Sequence, residues 1–471
     1  MESTGHPSCY ATSCHWCECI DERRVPFPGA VGVTPDESGS IDRRGLLKAV
    51  GGTAVAAALA GCSRILGSEE ADAATGTDVP DEPIEAGLQT FTEGPAAVLG
   101  LQTQYGAELA VQRINEAGGI AGRQMNLEVK EEADAHVENY KQWVEAGKDV
   151  TFGPISSGGH AALAPEVESQ GVVNVGTDGT VTTLYEDTVP DPTYSFRFQN
   201  HDVMECVAGA RAAVAKLGAD NIDTVAGINP NYAFGKDEFK FFTLAIQDLT
   251  GAEVVYEGYP DLLADDMSTH ITEVNDAEPD VTFSSNWGGD VTTLMNQGAA
   301  NNMFENTQLV GSVLYSAVND LSQDVVEQAG AVSGSRNYYW GSPDRSRWQP
   351  NDALLQTARD QWDIVPSAHF MSGYGAVTAW ATAAAKVVEV TGTWPTQEQV
   401  ARTLEGHGFY TPAGYHVMSE GHQGHSNAFY GDMVWDGDLG APALENVTMS
   451  SPPELSPPPG ETAEAWINSW G

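Results

Sequence analysis

Two short runs hold the hydroxyls and glycines of an anion-binding chemistry: Ser156-Ser157-Gly158-Gly159 and Thr177-Asp178-Gly179-Thr180. Each follows a β-forming stretch, Val150 to Phe152 and Val172 to Val175, and the first opens a helical pattern. Unpaired N–H groups and the helix dipole favour negative charge at such a start. A carboxylate fits there, with Thr180 adding a hydroxyl and Gly179 letting the backbone come close. The same residue types cap helices, and the two roles are compatible. A second group is aromatic: Tyr232 and Phe234 in NYAFG, Trp287 in SSNWGG and Tyr315 in GSVLYS, all near strand ends. Rings at these places exclude water from the apolar part of a small solute or lie over a cation. Patterns for turnover are missing from the sequence: there is no G-x-S-x-G elbow, no H-E-x-x-H, and no Walker or dinucleotide glycine run. His422 and His425 in GHQGH have no obvious third ligand and read as a polar loop. Binding without catalysis, metal or cofactor is the expectation.

These residues need strands and helices to bring them together. Ile84 to Thr92 reads as a strand; Val98, Leu101, Tyr105 and Leu109 then recur at helical spacing up to Gly118-Gly119. Met125 to Val129 is a second strand, with helices expected near Val137 to Ala146 and Ala161 to Ser169. After a break at Thr193 to Asn200 the alternation restarts, with strands near Thr224 to Ile228, Glu253 to Tyr256, Val281 to Ser284 and Gln308 to Gly311. An extended segment from Ser335 to Trp340 leads to helices near Tyr374 to Val390 and Thr396 to Leu404. Strand–helix alternation means mainly parallel sheets with crossover helices. Two α/β lobes follow, connected by a chain that crosses between them more than once, with a ligand cleft outside the carboxyl ends of the strands. The first lobe is expected over residues 84–199 and 336–426, and the second over 200–335 and 427–448. Residues 449–471, rich in proline, are expected to be mobile.

Lysine and arginine number 22 against 66 aspartate and glutamate, a net charge of −44 spread along the chain. Nucleic acid is an unsuitable partner, because phosphate needs clustered positive charge. The surface repels itself at low ionic strength and is screened by concentrated salt, as in halophilic proteins. Arg43 and Arg44 precede an apolar or small stretch from Ala49 to Ala60, and Leu59-Ala60-Gly61-Cys62 closes it. That order is an export signal of the twin-arginine lipoprotein kind. Its core falls short of the ~20 apolar residues of a spanning helix. Cleavage before Cys62 would put lipid on that residue, remove residues 41–61, and discard Cys9, Cys14, Cys17 and Cys19 with the upstream segment. Only Cys206 then accompanies the acylated cysteine, so no disulfide framework is expected. Residues 1–40 are given no function and read as an over-extended gene start. Residues 62–83 are acidic and without hydrophobic periodicity, as in a flexible tether.

The run GAELAVQRINEAGGIAGRQMNLEV from Gly106, with FGPISSGGHAALAPEVESQGVVNVGTDGT from Phe152, resembles the leucine/isoleucine/valine-binding family of periplasmic-type solute receptors. NYAFGKD at Asn231, PDVTFSSNWGGD at Pro279 and FYTPAGYHV at Phe409 extend the likeness over nearly all of residues 84–440 in order. The resemblance implies a two-lobed type I binding protein. Such a protein would be exported and monomeric, closing on a small polar solute and delivering it to the membrane permease of an ABC importer. A branched-chain or other amino acid, an amide or a urea-like solute all fit. It places Ser157, Asp178 and Thr180 on ligand-contacting positions, and Phe234 where a tyrosine is frequent. One departure stands out: after the strand ending at Gly311, where amino-acid-binding relatives carry an acid for the ammonium, this chain has Ser312-Val313-Leu314. Either Asp178 supplies that charge, or the solute is not an α-amino acid.

Overall fold

The computed structural model describes residues 78–339 and 349–470. The export block with Arg43 and Arg44, the lipidation candidate Cys62 and residues 1–40 lie outside the described residues. Five parallel strands build the first sheet: β1 (Ile84–Thr90), β2 (Met125–Glu131), β3 (Val150–Phe152), β4 (Asn174–Gly176) and β5 (Ser195–Arg197), in the order β2-β1-β3-β4-β5. Helices cover both faces, so β3 and β4 are buried along their whole length, as parallel strands with no solvent face must be. The second sheet has seven strands in the order β15-β14-β10-β9-β8-β6-β7. Its parallel part is β6 (Thr224–Ile228), β7 (Glu253–Gly258), β8 (Val281–Ser284), β9 (Gln308–Gly311) and β10 (Val332–Gly334). β14 (Ala428–Asp436) and β15 (Ala441–Ser450) extend it antiparallel. A small antiparallel sheet, β11 (Gly408–Thr411), β12 (Gly414–Met418) and β13 (Gly424–His425), completes the first lobe.

Helix α1 (Ala97–Glu116) lies against the long helix α10 (Ala368–Thr391) at backbone distance. A Cβ on Gly106 would fall 1.8 Å from the Phe370 carbonyl oxygen, and one on Gly373 would fall 1.9 Å from that of Thr103. Only hydrogen fits at these two crossing points. Thr103 Oγ1 also donates to the His369 carbonyl at 3.2 Å, fixing where the second helix begins.

Three chain crossings join the lobes, and they are bonded to one another. Asn200, entering the second lobe, accepts from Ser426 N at 3.1 Å and donates through Nδ2 to the Ser426 carbonyl at 3.3 Å. Phe429 N donates to the Arg336 carbonyl at 3.0 Å and the Phe429 carbonyl accepts from Ser335 N at 2.9 Å. Between the lobes, Phe234, Val313, Tyr315 and Val318 of the second belong to the same buried cluster as Phe152 and Phe196 of the first. The lobes are closed on each other.

Two expectations are corrected. The acidic tether does not run flexibly to Pro83: Arg123 donates to the carbonyls of Glu82 and Pro83 at 2.7 and 3.0 Å, and Trp394 N donates to that of Asp78 at 3.3 Å. A buried guanidinium needs acceptors, and these backbone carbonyls provide them. The proline-rich tail is likewise folded. It forms short helices α12 (Pro452–Leu455) and α13 (Ala463–Ile467), the first opened by a capping box of Ser451 and Glu454. Leu455, Ala463 and Ile467 are fully buried in the second lobe's core. Proline suits the first turn of a helix, and Pro452 and Pro453 open α12, whereas Pro457 to Pro459 lie in the segment between α12 and α13. Ile467→Ala is expected to lower stability by about 2–5 kcal/mol, and equilibrium denaturation in molar salt measures it; an unchanged midpoint would mean that the tail contributes nothing to the core.

Candidate functional site

The carboxyl ends of β3 and β4 lie side by side and deliver the two runs singled out by their chemistry. Ser156 is the cap of the helix Ser157–Gln170: its Oγ accepts from Gly159 N at 2.8 Å. Two further N–H groups at that start, of Ile155 and Ser156, donate to the buried Glu132 carboxylate at 2.8 and 2.7 Å. Glu132 thus fills part of the anion-favouring end from inside. Ser157 is the first helical residue and is buried. On the neighbouring loop, Gly179 has φ +76°, and a Cβ there would press on His160 at 3.0 Å. Thr180 is 1% exposed, and its hydroxyl has no hydrogen-bond partner among the described residues. A buried hydroxyl left without a partner costs free energy, so a polar partner arriving there is rewarded.

Arg197, at the end of β5, shapes that loop from behind. Its Nη1 donates to the Gly179 and Val181 carbonyls at 2.6 and 2.8 Å, and its Nε donates to Gln423 Oε1 at 2.6 Å. From the other side the helix Asp202–Leu217 offers Asp202 N to the Thr180 carbonyl at 3.0 Å. Thr180 is therefore held by its backbone while its side chain is left free.

Asp178 has both oxygens engaged. Oδ1 accepts from Gly179 N at 3.0 Å; Oδ2 accepts from Arg336 Nη1 at 2.5 Å and lies 3.3 Å from His369 Nε2. Arg336 stands on a crossing segment just after β10 with φ +50°, and its Nε lies 2.8 Å from Glu205 of the second lobe. One guanidinium therefore ties a carboxylate of each lobe. Burial alone would raise the Asp178 carboxyl, but Arg336, with His369, holds it below its usual range. Burial keeps the His369 imidazole below its ordinary value, so it donates to Asp178 as a neutral ring. Glu205 goes the other way, raised by burial in spite of Arg336.

The aromatic residues come to the same place from the second lobe. Tyr232 Oη accepts from Trp287 Nε1 at 2.9 Å, and the Tyr232 and Phe234 rings are 5.9 Å apart. Tyr315 is fully buried, with its ring 5.6 Å from that of His369. Phe234 is buried at the start of the helix Ala233–Thr250. Arg336, His369, Glu205, Arg197 and Glu132 escaped the sequence reading. A lone arginine in SGSRNYYW, within so acidic a chain, was the one available signal: its buried neighbours imply carboxylate partners. His422 stacks on Phe196 with centroids 3.9 Å apart, and no group of three or more His, Cys, Asp or Glu side chains placed to hold a metal occurs among the described residues.

Two α/β lobes, a buried polar centre around Asp178 and Arg336 and the aromatic group of the second lobe lead directly to comparison with known proteins. Residues 83–438 match the periplasmic binding protein family. The chain belongs to it. A Leu/Ile/Val-binding protein homologue of Brucella abortus (strain 2308) is 24% identical over 341 residues, covering 69% of this chain and 82% of the relative. Among solved structures, a solute-binding protein of an ABC transporter from Rhodopseudomonas palustris BisB5, in complex with 3,4-dihydroxybenzoic acid, aligns with TM-score 0.68 at 19% identity. It covers 79% of this chain and 98% of that one. A leucine-binding protein from Thermotoga maritima MSB8 aligns with TM-score 0.62 at 15% identity, covering 79% and 100%. This periplasmic binding protein has the α/β two-lobed fold and is similar to Leu/Ile/Val-binding protein homologues and, in fold, to solute-binding proteins of ABC transporters. The family implies a location outside the cytoplasm.

The carboxyls beneath the cleft make this binding protein sensitive to alkali. Burial raises Asp202 to about 7, and burial with the Asp202 charge raises Glu238 to about 8. Both sit above their unfolded values, so the stability they contribute is complete at low pH and is lost as pH rises through those values. Histidines act oppositely: burial lowers His160 and His416 to about 3 and His425 to about 4, so their contribution is lost as pH falls below the ordinary imidazole range. Stability is expected to peak between the two limits and to decline on the alkaline side. Glu238→Gln should flatten that alkaline limb, as measured by denaturant midpoints across a pH series; an unaltered slope would remove Glu238 from the account.

Proposed function

We propose that this chain is the extracytoplasmic receptor of an ABC importer, holding a small solute with a carboxylate between its lobes and presenting the closed form to a membrane permease. The observation that carries the reading is the Thr180 hydroxyl, buried and without a partner among the described residues. It lies in the loop after β4, whose neighbour β3 leads to the helix that starts at Ser157, and Tyr232, Phe234, Trp287 and Tyr315 are read as the facing wall. Ser157 and Thr180 take the carboxylate, and the rings take the apolar part. Ser156 acts by capping the helix that begins at Ser157, and Gly179 by leaving room for the backbone. Closure is driven by contacts that the solute makes only when both lobes surround it.

A carboxylate is in keeping with the acids and amino acids named for the relatives. A neutral amide or urea-like solute is a second reading. It is favoured by Gln89 at the end of β1, fully buried with neither carboxamide atom hydrogen-bonded among the described residues. A paired donor and acceptor of that kind complements another amide. Anchoring belongs to the same proposal: Arg43 and Arg44 direct export, and Cys62 carries the lipid that tethers the receptor to the membrane. The receptor works as a monomer, without metal, cofactor or chemical turnover.

A thermal-shift screen of small solutes in molar salt identifies the ligand. Thr180→Val should then weaken the hit by about 1.5–3 kcal/mol, the range for a hydrogen bond to a charged group, with little change in the stability of the free protein; calorimetric titration reads the loss. Equal affinities would show that the carboxylate lies elsewhere. Solute should also compact the protein in X-ray scattering, and superimposable profiles would count against closure. Intact-mass analysis of the membrane-associated form should give a chain beginning at an acylated Cys62, a result contradicted by an unmodified residue 62 within a longer chain.

A further inference from the structure

We propose that Arg336 is the internal cation of the solute site: its guanidinium stands where a solute ammonium would have to stand, so the site selects a carboxylic acid that lacks an α-ammonium group. The inference rests on the solute-receptor reading above and narrows it. An α-amino acid needs a carboxylate for its ammonium close to the group that holds its own carboxylate. Asp178, two residues from Thr180, is the acid in that place. Its Oδ2 is taken by Arg336 Nη1 at 2.5 Å and approached by His369 Nε2 at 3.3 Å; its Oδ1 is taken by Gly179 N at 3.0 Å.

Of the other acids nearby, Glu205 lies 2.8 Å from the same guanidinium, its two oxygens making no hydrogen bond among the described residues, and Asp202 accepts from Thr182 and from Val203 N. Glu238 Oε2 receives the Cys206 thiol at 3.4 Å, and burial raises its carboxyl to about 8, which keeps it largely protonated near neutrality. The loop after β9 supplies Ser312, Val313 and Leu314, none of them acidic.

An ammonium entering beside Asp178 would meet the guanidinium. Two like charges at close range in a partly solvated cleft repel each other. Pushing Arg336 aside is no easier, since a buried charge stripped of its partners is strongly disfavoured. A carboxylic acid without an ammonium avoids that repulsion: the Asp178–Arg336 pair is already compensated, and the Thr180 hydroxyl is left without a partner among the described residues. The rings of Tyr232, Phe234 and Trp287 then receive an apolar or aromatic body. Arg336 is a specificity-determining residue, and Asp178 is the anchor that keeps it in place.

The test uses matched pairs that differ only in the α-ammonium: leucine with 4-methylpentanoate and phenylalanine with 3-phenylpropanoate, with benzoate as an acid that has no α-carbon of its own to carry an amine. Calorimetry in molar salt on the wild-type chain should show the acid of a pair bound at least about tenfold more tightly than its amino acid. Arg336→Met, which frees Asp178, should reverse that preference. The double variant Asp178→Asn/Arg336→Met removes the Asp178 charge together with its partner, which keeps the test open if the single variant does not fold; its preference should collapse towards parity. The proposal is overturned if the wild type favours the amino acids, or if a folded variant keeps the wild-type preference. Binding of urea or acetamide with none of the acids would overturn it while leaving the receptor reading intact, and binding of no solute of any class would defeat both.

Discussion

A buried guanidinium cannot be left alone, and the centre of this molecule is arranged around that constraint. Arg336 lies where the chain passes between lobes, with Asp178 of the first lobe on one side and Glu205 of the second on the other. Separating such a charge from its partners without water to replace them costs several kcal/mol, so the closed arrangement carries its own electrostatic latch. His369 adds a neutral donor to the same carboxylate, and it can do so because Gly106 and Gly373 let two helices meet at backbone distance and bring the start of the second one to the cleft. A polar centre is thereby set in place by close helix packing within one turn of it.

The charge distribution has two regimes that should be kept apart. Outside, a net charge of −44 is dispersed and solvated, where salt screens it and single ion pairs such as Lys240 with Glu464 contribute little. Inside, the few cations are deliberate in position. Arg197 binds backbone carbonyls and shapes the Thr180 loop, Arg336 joins the lobes, and Arg123 fastens the segment before β1 while lying 4.0 Å over the Trp394 ring. In so acidic a chain, a buried arginine marks a place where backbone or carboxylate acceptors have been gathered.

Part of the fold could be read directly from residue order. The strands from Thr224, Val281 and Gln308 and the helix ending at Gly118-Gly119 follow from periodicity and glycine stops, because parallel strands buried on both faces are continuous apolar runs. β5 lies inside a stretch read as a break, and β11 to β15 are antiparallel: most of them pair with their chain neighbours, but β14 joins the main sheet through β10, about a hundred residues away. Local pattern does not encode a partner that distant. The tail failed for a related reason: proline and serine read as loop by composition, whereas the capping box and three apolar side chains found a core only after the second lobe existed.

For the site, residue type and position after a strand were enough to nominate Ser157, Thr180, Tyr232, Phe234, Trp287 and Tyr315, because strand ends and helix starts expose the same groups wherever they occur. What those groups would find around them was not written in any local run. Asp178, alone in sequence, is an available carboxylate; in the folded chain it is committed to an arginine 158 residues away and a histidine on a third segment. Order along the chain thus decided the class of fold and the polar and aromatic chemistry offered to a solute. The charge left over for that solute depends on which side chains meet across the cleft, and long-range packing alone makes that choice.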